Sequence, residues 1–256
     1  MKGRILVTKE IKVKSLYKAL QVLECFTVNK PEMGITAISE HLGLYKSNVH
    51  SIVDTFVHAG YLEQNPENEK YRLSLKILKL SHVISNNLSF RKTLLPYMQE
   101  LADATNETVY LGVPNEGEVM YLDSSLPKNK LPTRPMLGVK APLYCTGIGK
   151  AMLAYMPEEA VETVISKGFN KYTDQTIMDE VSLYSDLVSI RARGYSIDNM
   201  EHEFGIKCVG VPLINQKREV IAGLSVSGPS LRYDEQRILE YAAGLKHIIA
   251  SIEDTL

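Results

Sequence analysis

Residues 36–60, TAISEHLGLYKSNVHSIVDTFVHAG, constrain this chain more than any other stretch, because two short helices and the turn between them are written in residue chemistry. Ser39 is small where two helices would cross closely. Gly43 stands after the first helix at the position that needs a positive φ, which glycine adopts without steric cost. Tyr45, Val49, Ile52, Val53 and Phe56 recur at helical spacing and predict one apolar stripe, with Val49 on its inward side. The opposite face carries Lys46, Asn48, Ser51 and Thr55, flanked by Ser47 and His50, and these side chains can meet phosphates or base edges. The pattern is that of a DNA-binding helix-turn-helix; a helix pair of any α-domain is the competing reading.

The flanking residues narrow that choice. Residues 61–64 (YLEQ) and 70–73 (KYRL) read as two short strands around a turn at 65–69. A further helix over 16–26 is expected to turn Leu16, Ala19, Leu20, Leu23 and Phe26 to one side, and Thr36 is the expected N-cap of the second helix. Three helices followed by a hairpin make a winged helix. Glu67 and Glu69 at the wing tip would repel phosphates, which leaves Lys70 and Arg72 for backbone contacts.

A length of 256 residues allows one large or two modest domains. The formal net charge of −1 excludes nothing, but its distribution helps: residues 1–80 hold 12 Lys/Arg against 8 Asp/Glu, so the basic part coincides with the helix-turn-helix. The opening MKGRILVTKEIKVK is basic without an apolar segment and is expected to be a flexible arm rather than a secretory signal. No apolar run reaches membrane-span length. Cys25, Cys145 and Cys208 are scattered and odd in number, which suits neither a zinc framework nor a disulfide scaffold and points to a reducing cytoplasm.

After the wing, a helix over 74–85, with Leu75, Leu78 and His82 on one face, is long enough to link two domains, and Asn86-Asn87 makes a polar break. A second helix, 90–105, would turn Leu94, Met98, Leu101 and Ala102 inward, with Pro96 in its first turns. From Glu107 the texture is α+β: strands at 108–113 and 118–124 around the turn PNEG, a loop at 127–135, helices at 142–156, 157–167 and 179–193, strands at 195–198, 208–214 and 220–226, and a closing helix at 234–254. The expected domains are therefore 1–73, a linker helix 74–89, and 90–256.

Within the last of these, Thr146 can cap a helix whose Gly147-Ile148-Gly149 entry would let an anion approach free backbone N–H groups; a plain helix cap is the alternative. Ser225 and Ser227 lie two apart on one strand and so share a face, with Leu224 and Val226 on the other. That serine face is either a polar pocket wall or an exposed surface. Cys208 reads as a small buried hydrophobe, and Asp198 as an acceptor for a ligand hydroxyl or a turn cap.

With both halves in view, the chain resembles the IclR family of bacterial transcription regulators from Val13 onward. The resemblance rests on SLYKALQVLECF, LGLYKSNVHSIVDTF and GYLEQNPENEKYRL, then on CTGIGKAMLAYM, RARGYSIDNMEHEFGIKCVGVPLIN and AGLSVSGPSLR. Gly194, Asp198, Glu201, Cys208, Gly210 and Asn215 stand at the family's signature spacing, whereas Ile214 and Ser51 depart from the usual residues. The resemblance implies a winged helix-turn-helix joined by a linker helix to a GAF-like effector domain, acting as a dimer or tetramer on an operator. It implies a non-enzymatic regulator, expected to be a repressor without cofactor or metal, that answers to a small organic acid. Carried over residue by residue, Gly147, Ile148, Asp198, Cys208, Ser225 and Ser227 would line the effector site, with Met120 and Tyr144 as neighbours. Thr36, Lys46, Ser47, Asn48, His50, Ser51, Lys70 and Arg72 would face DNA.

Two other classes compete. Cys145 precedes a helix N-terminus, where a thiolate is favoured, so a redox sensor or thiol enzyme using Cys145 with Cys208 is conceivable. His202, Glu203 and Cys208 could be metal ligands, although one histidine and one cysteine are few for a zinc site.

Overall fold

The turn at Gly43 has the expected left-handed backbone, with φ of 64°, and it organises the first of two units into which the chain divides after Asn87. The computed structural model describes residues 11–128 and 137–252; the first ten residues of the predicted arm, most of the loop at 127–135, and Asp254 lie outside them. The first unit runs α1 (Lys14–Glu24), α2 (Ile35–Leu42), α3 (Lys46–His58), β1 (Leu62–Gln64), β2 (Tyr71–Leu73) and α4 (Lys76–Asn87). Its core joins Val22, Phe26, Met33, Ile38, Val49, Val53 and Leu62. Ser39 is buried at the helix crossing and donates to the Leu44 carbonyl. In the hairpin Glu63 faces Arg72 and Gln64 faces Tyr71, and Met33 bridges to Tyr71.

Three expectations are corrected here. Thr36 does not cap α2: Gly34, with extended backbone, holds that position, its carbonyl takes the first helical N–H from Ile38 at 3.1 Å, and Thr36 is already inside the helix and exposed. Tyr45 leaves the apolar stripe because it is the extended residue before α3, 82% exposed. In α1 only the last turns reach the core, through Val22, Cys25 and Phe26, while Leu16 and Leu20 remain about half exposed.

The second unit begins with α5 (Ser89–Thr105), followed by β3 (Thr108–Asn115), β4 (Glu118–Ser125), β5 (Lys140–Pro142), α6 (Gly147–Leu153), α7 (Glu158–Ser166), α8 (Glu180–Arg193), β6 (Ser196–Asn199), β7 (Ile206–Ile214), β8 (Val220–Pro229) and α9 (Glu235–Ile252). The strands form one antiparallel sheet in the order β5-β4-β3-β8-β7-β6. The predicted turn closes β3 onto β4 through Glu116 and Gly117, both at positive φ, as a two-residue hairpin requires. Pro96 lies well inside α5 rather than in its first turns; the helix continues past it because Leu94, Met98 and Ala102 are fully buried on either side.

α5 and α9 cover one face of the sheet, packing Leu94, Met98, Tyr241 and Leu245 on Val109, Leu111, Val209, Leu224 and Val226. α6 covers the other, with Ile148 and Met152 against Val119 and Tyr121 and the helices α7 and α8 behind. The helix expected over 142–156 is shorter at both ends. Its first residue, Pro142, belongs to β5, an edge strand that the sequence reading missed, where a missing N–H is tolerated.

Candidate functional site

Two regions gather the sequence-derived candidates. On α3, burial of Val49 and Val53 turns Lys46, Ser47, Asn48, His50 and Ser51 to the surface at the helix start. Ser51 donates its hydroxyl proton to the Ser47 carbonyl at 3.1 Å, and Thr55 donates to Ser51 at 2.7 Å, so both remain available only as acceptors. Arg72 is engaged: its Nε lies 2.6 Å from Glu63 and its Nη1 3.4 Å from Glu32. Lys70 is exposed and has no ion pair among the described residues. Of the two wing cations, only Lys70 therefore offers an uncommitted charge.

The second region is interior, on the α6 side of the sheet. Thr146 caps α6 by accepting the Gly149 N–H at 3.1 Å, and the first helical bond, Lys150 N–H to Thr146 O, is 2.9 Å. The N–H groups of Gly147 and Ile148 precede that bond and so lie outside the helical ladder. Gly147 has a packing duty that its sequence did not reveal. A Cβ there would stand 2.8 Å from Cys208 Cβ, and a Cβ on Gly210 would stand 2.5 Å from the Gly147 carbonyl oxygen. Ser196 donates to that same carbonyl. The glycine pair lets α6 lie directly on β7.

Strand register then assembles the rest. Asp198 is opposite Cys208, Cys208 opposite Ser227, and Gly210 opposite Ser225. Ser225 is 2% exposed, which removes the exposed-face reading, and Cys208 donates to Ser227 Oγ at 3.1 Å. Asp198 is buried and caps the turn after β6, accepting the Glu201 N–H at 2.7 Å. Burial, reinforced by the Glu201 carboxylate, pushes Asp198 up to about 7, so both its acid and its ionised form are accessible near neutrality.

Of the weaker candidates, Met120 is on the wrong face: Val119 and Tyr121 point to the α6 side, so the alternation sends Met120 the other way. Tyr121 belongs there instead, edge-on to Tyr110 at 5.4 Å. Tyr144 uses its hydroxyl to hold a loop, donating to the Asn170 carbonyl at 2.8 Å and accepting the Asn170 N–H at 2.7 Å. Sequence reasoning also missed a buried ion cluster. Lys150, one turn into α6 and 1% exposed, lies 2.6 Å from both Asp186 and Glu201. Burial works against its ammonium, but the two carboxylates outweigh that and hold its pKa above the usual lysine value.

The thiol chemistry loses its electrostatic basis. Cys145 is fully buried, and burial, with Asp198 and Glu201 nearby, pushes its thiol well up, opposite to what a reactive thiolate requires. His202 lies against Tyr172 with ring centroids 5.0 Å apart and planes tilted by 50°, while Cys208 turns to Ser227. Among the described residues no three His, Cys, Asp or Glu side chains stand together as a metal site, and no helix is long and apolar enough to cross a membrane.

Comparison with known proteins supplies relatives for both units. Residues 15–66 match the IclR helix-turn-helix domain, and residues 82–253 match the C-terminal domain of the bacterial transcriptional regulator IclR. The HTH-type transcriptional regulator KdgR of Escherichia coli is 34% identical over 234 residues, covering 91% of this chain and 89% of its own. The regulator XynR of the same organism is 32% identical over 235 residues, covering 91% and 93%. A crystal structure of an IclR homologue from Microbacterium hydrocarbonoxydans, complexed with 4-hydroxybenzoate, superposes with a TM-score of 0.79 at 25% identity, covering 93% of this chain and 99% of that one.

Proposed function

The chain belongs to the IclR family of bacterial transcription regulators, and from that premise we propose that it is a repressor whose α3 face reads a palindromic operator and whose buried site takes a small organic acid. The observation that carries the DNA half is the α3 face itself: five polar side chains at the helix start, held outward by Val49 and Val53. Lys46 meets phosphate, Asn48 reads a base edge, and Lys70 adds a wing contact. Arg72, tied to Glu63 and Glu32, contributes less than its charge suggests. Selection of binding sites from randomised duplexes gives the operator, and anisotropy titrations test the residues. Lys46→Ala should weaken all sequences alike and reduce the salt slope by about 1, whereas Asn48→Ala should cost roughly 1–3 kcal/mol at one base position. Wild-type affinity in both variants overturns the assignment.

The effector half rests on the convergence of free N–H groups, two hydroxyls and an acid. A carboxylate sits on the Gly147 and Ile148 N–H groups, with Ser225 and Ser227 donating, because a buried carboxylate without donors is costly. Asp198 in its ionised form accepts from a ligand hydroxyl. A relative's structure holding 4-hydroxybenzoate, an acid with a hydroxyl, agrees with that pairing of groups. Thermal-shift screening of small carboxylates finds candidates. Ser225→Ala with Ser227→Ala should then abolish the ligand response and leave operator binding intact; unchanged calorimetric affinity places the pocket elsewhere.

The proposed pairing of two copies rests on what the first unit leaves uncovered: Leu78, Leu80, Val83 and Ile84 of α4, and Leu16 and Leu20 of α1, are all about half exposed or more. A second copy covering these faces brings two recognition helices into two-fold relation, with the effector domain adding a separate contact toward a tetramer. Light scattering should give a dimer or tetramer at micromolar concentration, and a strictly monomeric mass contradicts it.

A further inference from the structure

Across from Asp198 and Cys208, the α6 side of the large sheet has a second wall, built from β3 and β4. Val109 and Leu111 pack on α5 and α9, so Thr108 and Tyr110 point to the α6 side, where Tyr121 of β4 joins them. Strand register sets Thr108 opposite Ser227, Ser227 opposite Cys208, and Cys208 opposite Asp198. One row of polar side chains thus crosses four adjacent strands, and Thr108 ends it.

The hydroxyls of Thr108, Tyr121 and Ser225 are chemically incomplete. These residues are 9%, 8% and 2% exposed, and none of the three hydroxyls has a hydrogen-bond partner among the described residues. Polar groups buried this deeply are normally paired. Glu201 Oε2 and the Tyr233 hydroxyl are also unpartnered, but they are sealed off entirely. The hydroxyls of Thr108, Tyr121 and Ser225 keep accessible surface, so a bound molecule can reach them. Tyr121 is turned toward the effector site's own groups. Burial, with Cys208, Tyr110, Asp198 and Cys145 close by, pushes its phenol up, so it stays protonated and can donate. Tyr110 holds its ring edge-on.

The chemistry of this wall restricts what it can meet. Thr108, Tyr110 and Tyr121 are uncharged, and Lys150 is already shared by Asp186 and Glu201. A second carboxylate would find no uncommitted cation among these residues and would face Asp198. A plain hydrocarbon chain would leave the buried hydroxyls unpaired, which is costly. Neutral oxygens suit the wall, because a hydroxyl both donates and accepts.

We propose that Tyr121 and Thr108 select the effector by hydrogen bonding to neutral oxygens along its chain, a role that rests on the carboxylate placement at Gly147 and Ile148. The site then takes a polyhydroxylated monocarboxylate and rejects the alkyl acid and the dicarboxylate of equal length.

The test is calorimetric titration of the full chain with six-carbon acids. Gluconate and galactonate are polyhydroxylated, hexanoate has no hydroxyl, and glucarate has a second carboxylate. At least one of the first two should bind about tenfold or more tighter than hexanoate and glucarate. Tyr121→Phe keeps the ring and its edge contact and loses only the hydroxyl. It should weaken that sugar acid about tenfold while the ligand-free melting temperature stays at the wild-type value, and Thr108→Val should act in the same direction. No binding of either sugar acid, or equal binding of hexanoate or glucarate, overturns the selection. Wild-type affinity in Tyr121→Phe or Thr108→Val overturns it too, since that hydroxyl then meets only water. So does a Tyr121→Phe loss that comes with a lower melting temperature, which makes the hydroxyl structural. Failure of the carboxylate placement looks different: the Ser225→Ala, Ser227→Ala variant then binds the sugar acid as wild type does, with the Tyr121→Phe loss preserved.

Discussion

Two helices of this chain begin with short polar or small residues, and the two starts do opposite things. α3 opens with Lys46-Ser47-Asn48, all exposed, and of its thirteen residues only Val49 and Val53 are buried. α6 opens with Gly147-Ile148-Gly149, and all seven of its residues are buried. At α3 the side chains carry the chemistry and the backbone is scaffold. At α6 the side chains are missing or apolar, and the backbone N–H groups are what a ligand could use. The difference teaches that one local motif, a helix N-terminus, becomes a reader of an external surface or the wall of an internal site according to what packs beneath it.

That contrast can be broken at several points. The largest expected effect is at the buried start. Lys150→Ala leaves Glu201 and Asp186 facing each other without their shared cation and should destabilise the second unit by roughly 3–5 kcal/mol, read by chemical denaturation. Asn48→Ala on α3 should leave stability unchanged while altering DNA binding. A comparable stability loss at Asn48 would erase the distinction between the two helices.

The next effect is a pH dependence. Asp198 titrates at about 7 in the folded chain against 3.8 for an unburied aspartate, so the folded state holds its proton more tightly. Its contribution to stability is therefore full below the unfolded pKa and is lost as pH rises through about 7. Asp198→Asn should remove that slope, gaining roughly 2–4 kcal/mol on wild type between about pH 4 and pH 8. Parallel melting-temperature profiles for the two proteins would mean that Asp198 is not held in this environment.

Gly210→Ala probes the contact between α6 and β7. The added methyl meets backbone atoms of Gly147, which cannot move aside as a flexible side chain does, and should cost roughly 1–3 kcal/mol, with a weaker ligand response. The smallest effect compares two threonines. Thr146→Ala removes a real cap and should cost about 1 kcal/mol, while Thr36→Ala, inside α2, should cost nothing measurable. Equal costs would restore Thr36 as the cap.

The threonines also show where sequence stops being informative. Both stand before apolar runs and both read as caps, yet only Thr146 has the extended backbone and the Gly149 N–H within reach. At α2 the neighbouring Gly34 adopts the capping conformation instead. Helix ends are settled by whichever of two adjacent residues fits the incoming chain, and composition does not rank them.

What the sequence determined by itself is whatever repeats locally. The helix-turn-helix was legible because Gly43 and the Val49–Val53 spacing encode a turn and a buried stripe within a few residues. The hairpin at Glu116-Gly117 and the shared face of Ser225 and Ser227 were legible for the same reason, since strand alternation has a period of two. Tertiary structure decided the rest. It paired Asp198 with Cys208 and Cys208 with Ser227, fitted Gly147 against Gly210, drew Lys150 to Asp186 and Glu201, and left β6 as an open edge. These groups lie ten or more residues apart along the chain, and only the register of the sheet and the close packing of α6 bring them together.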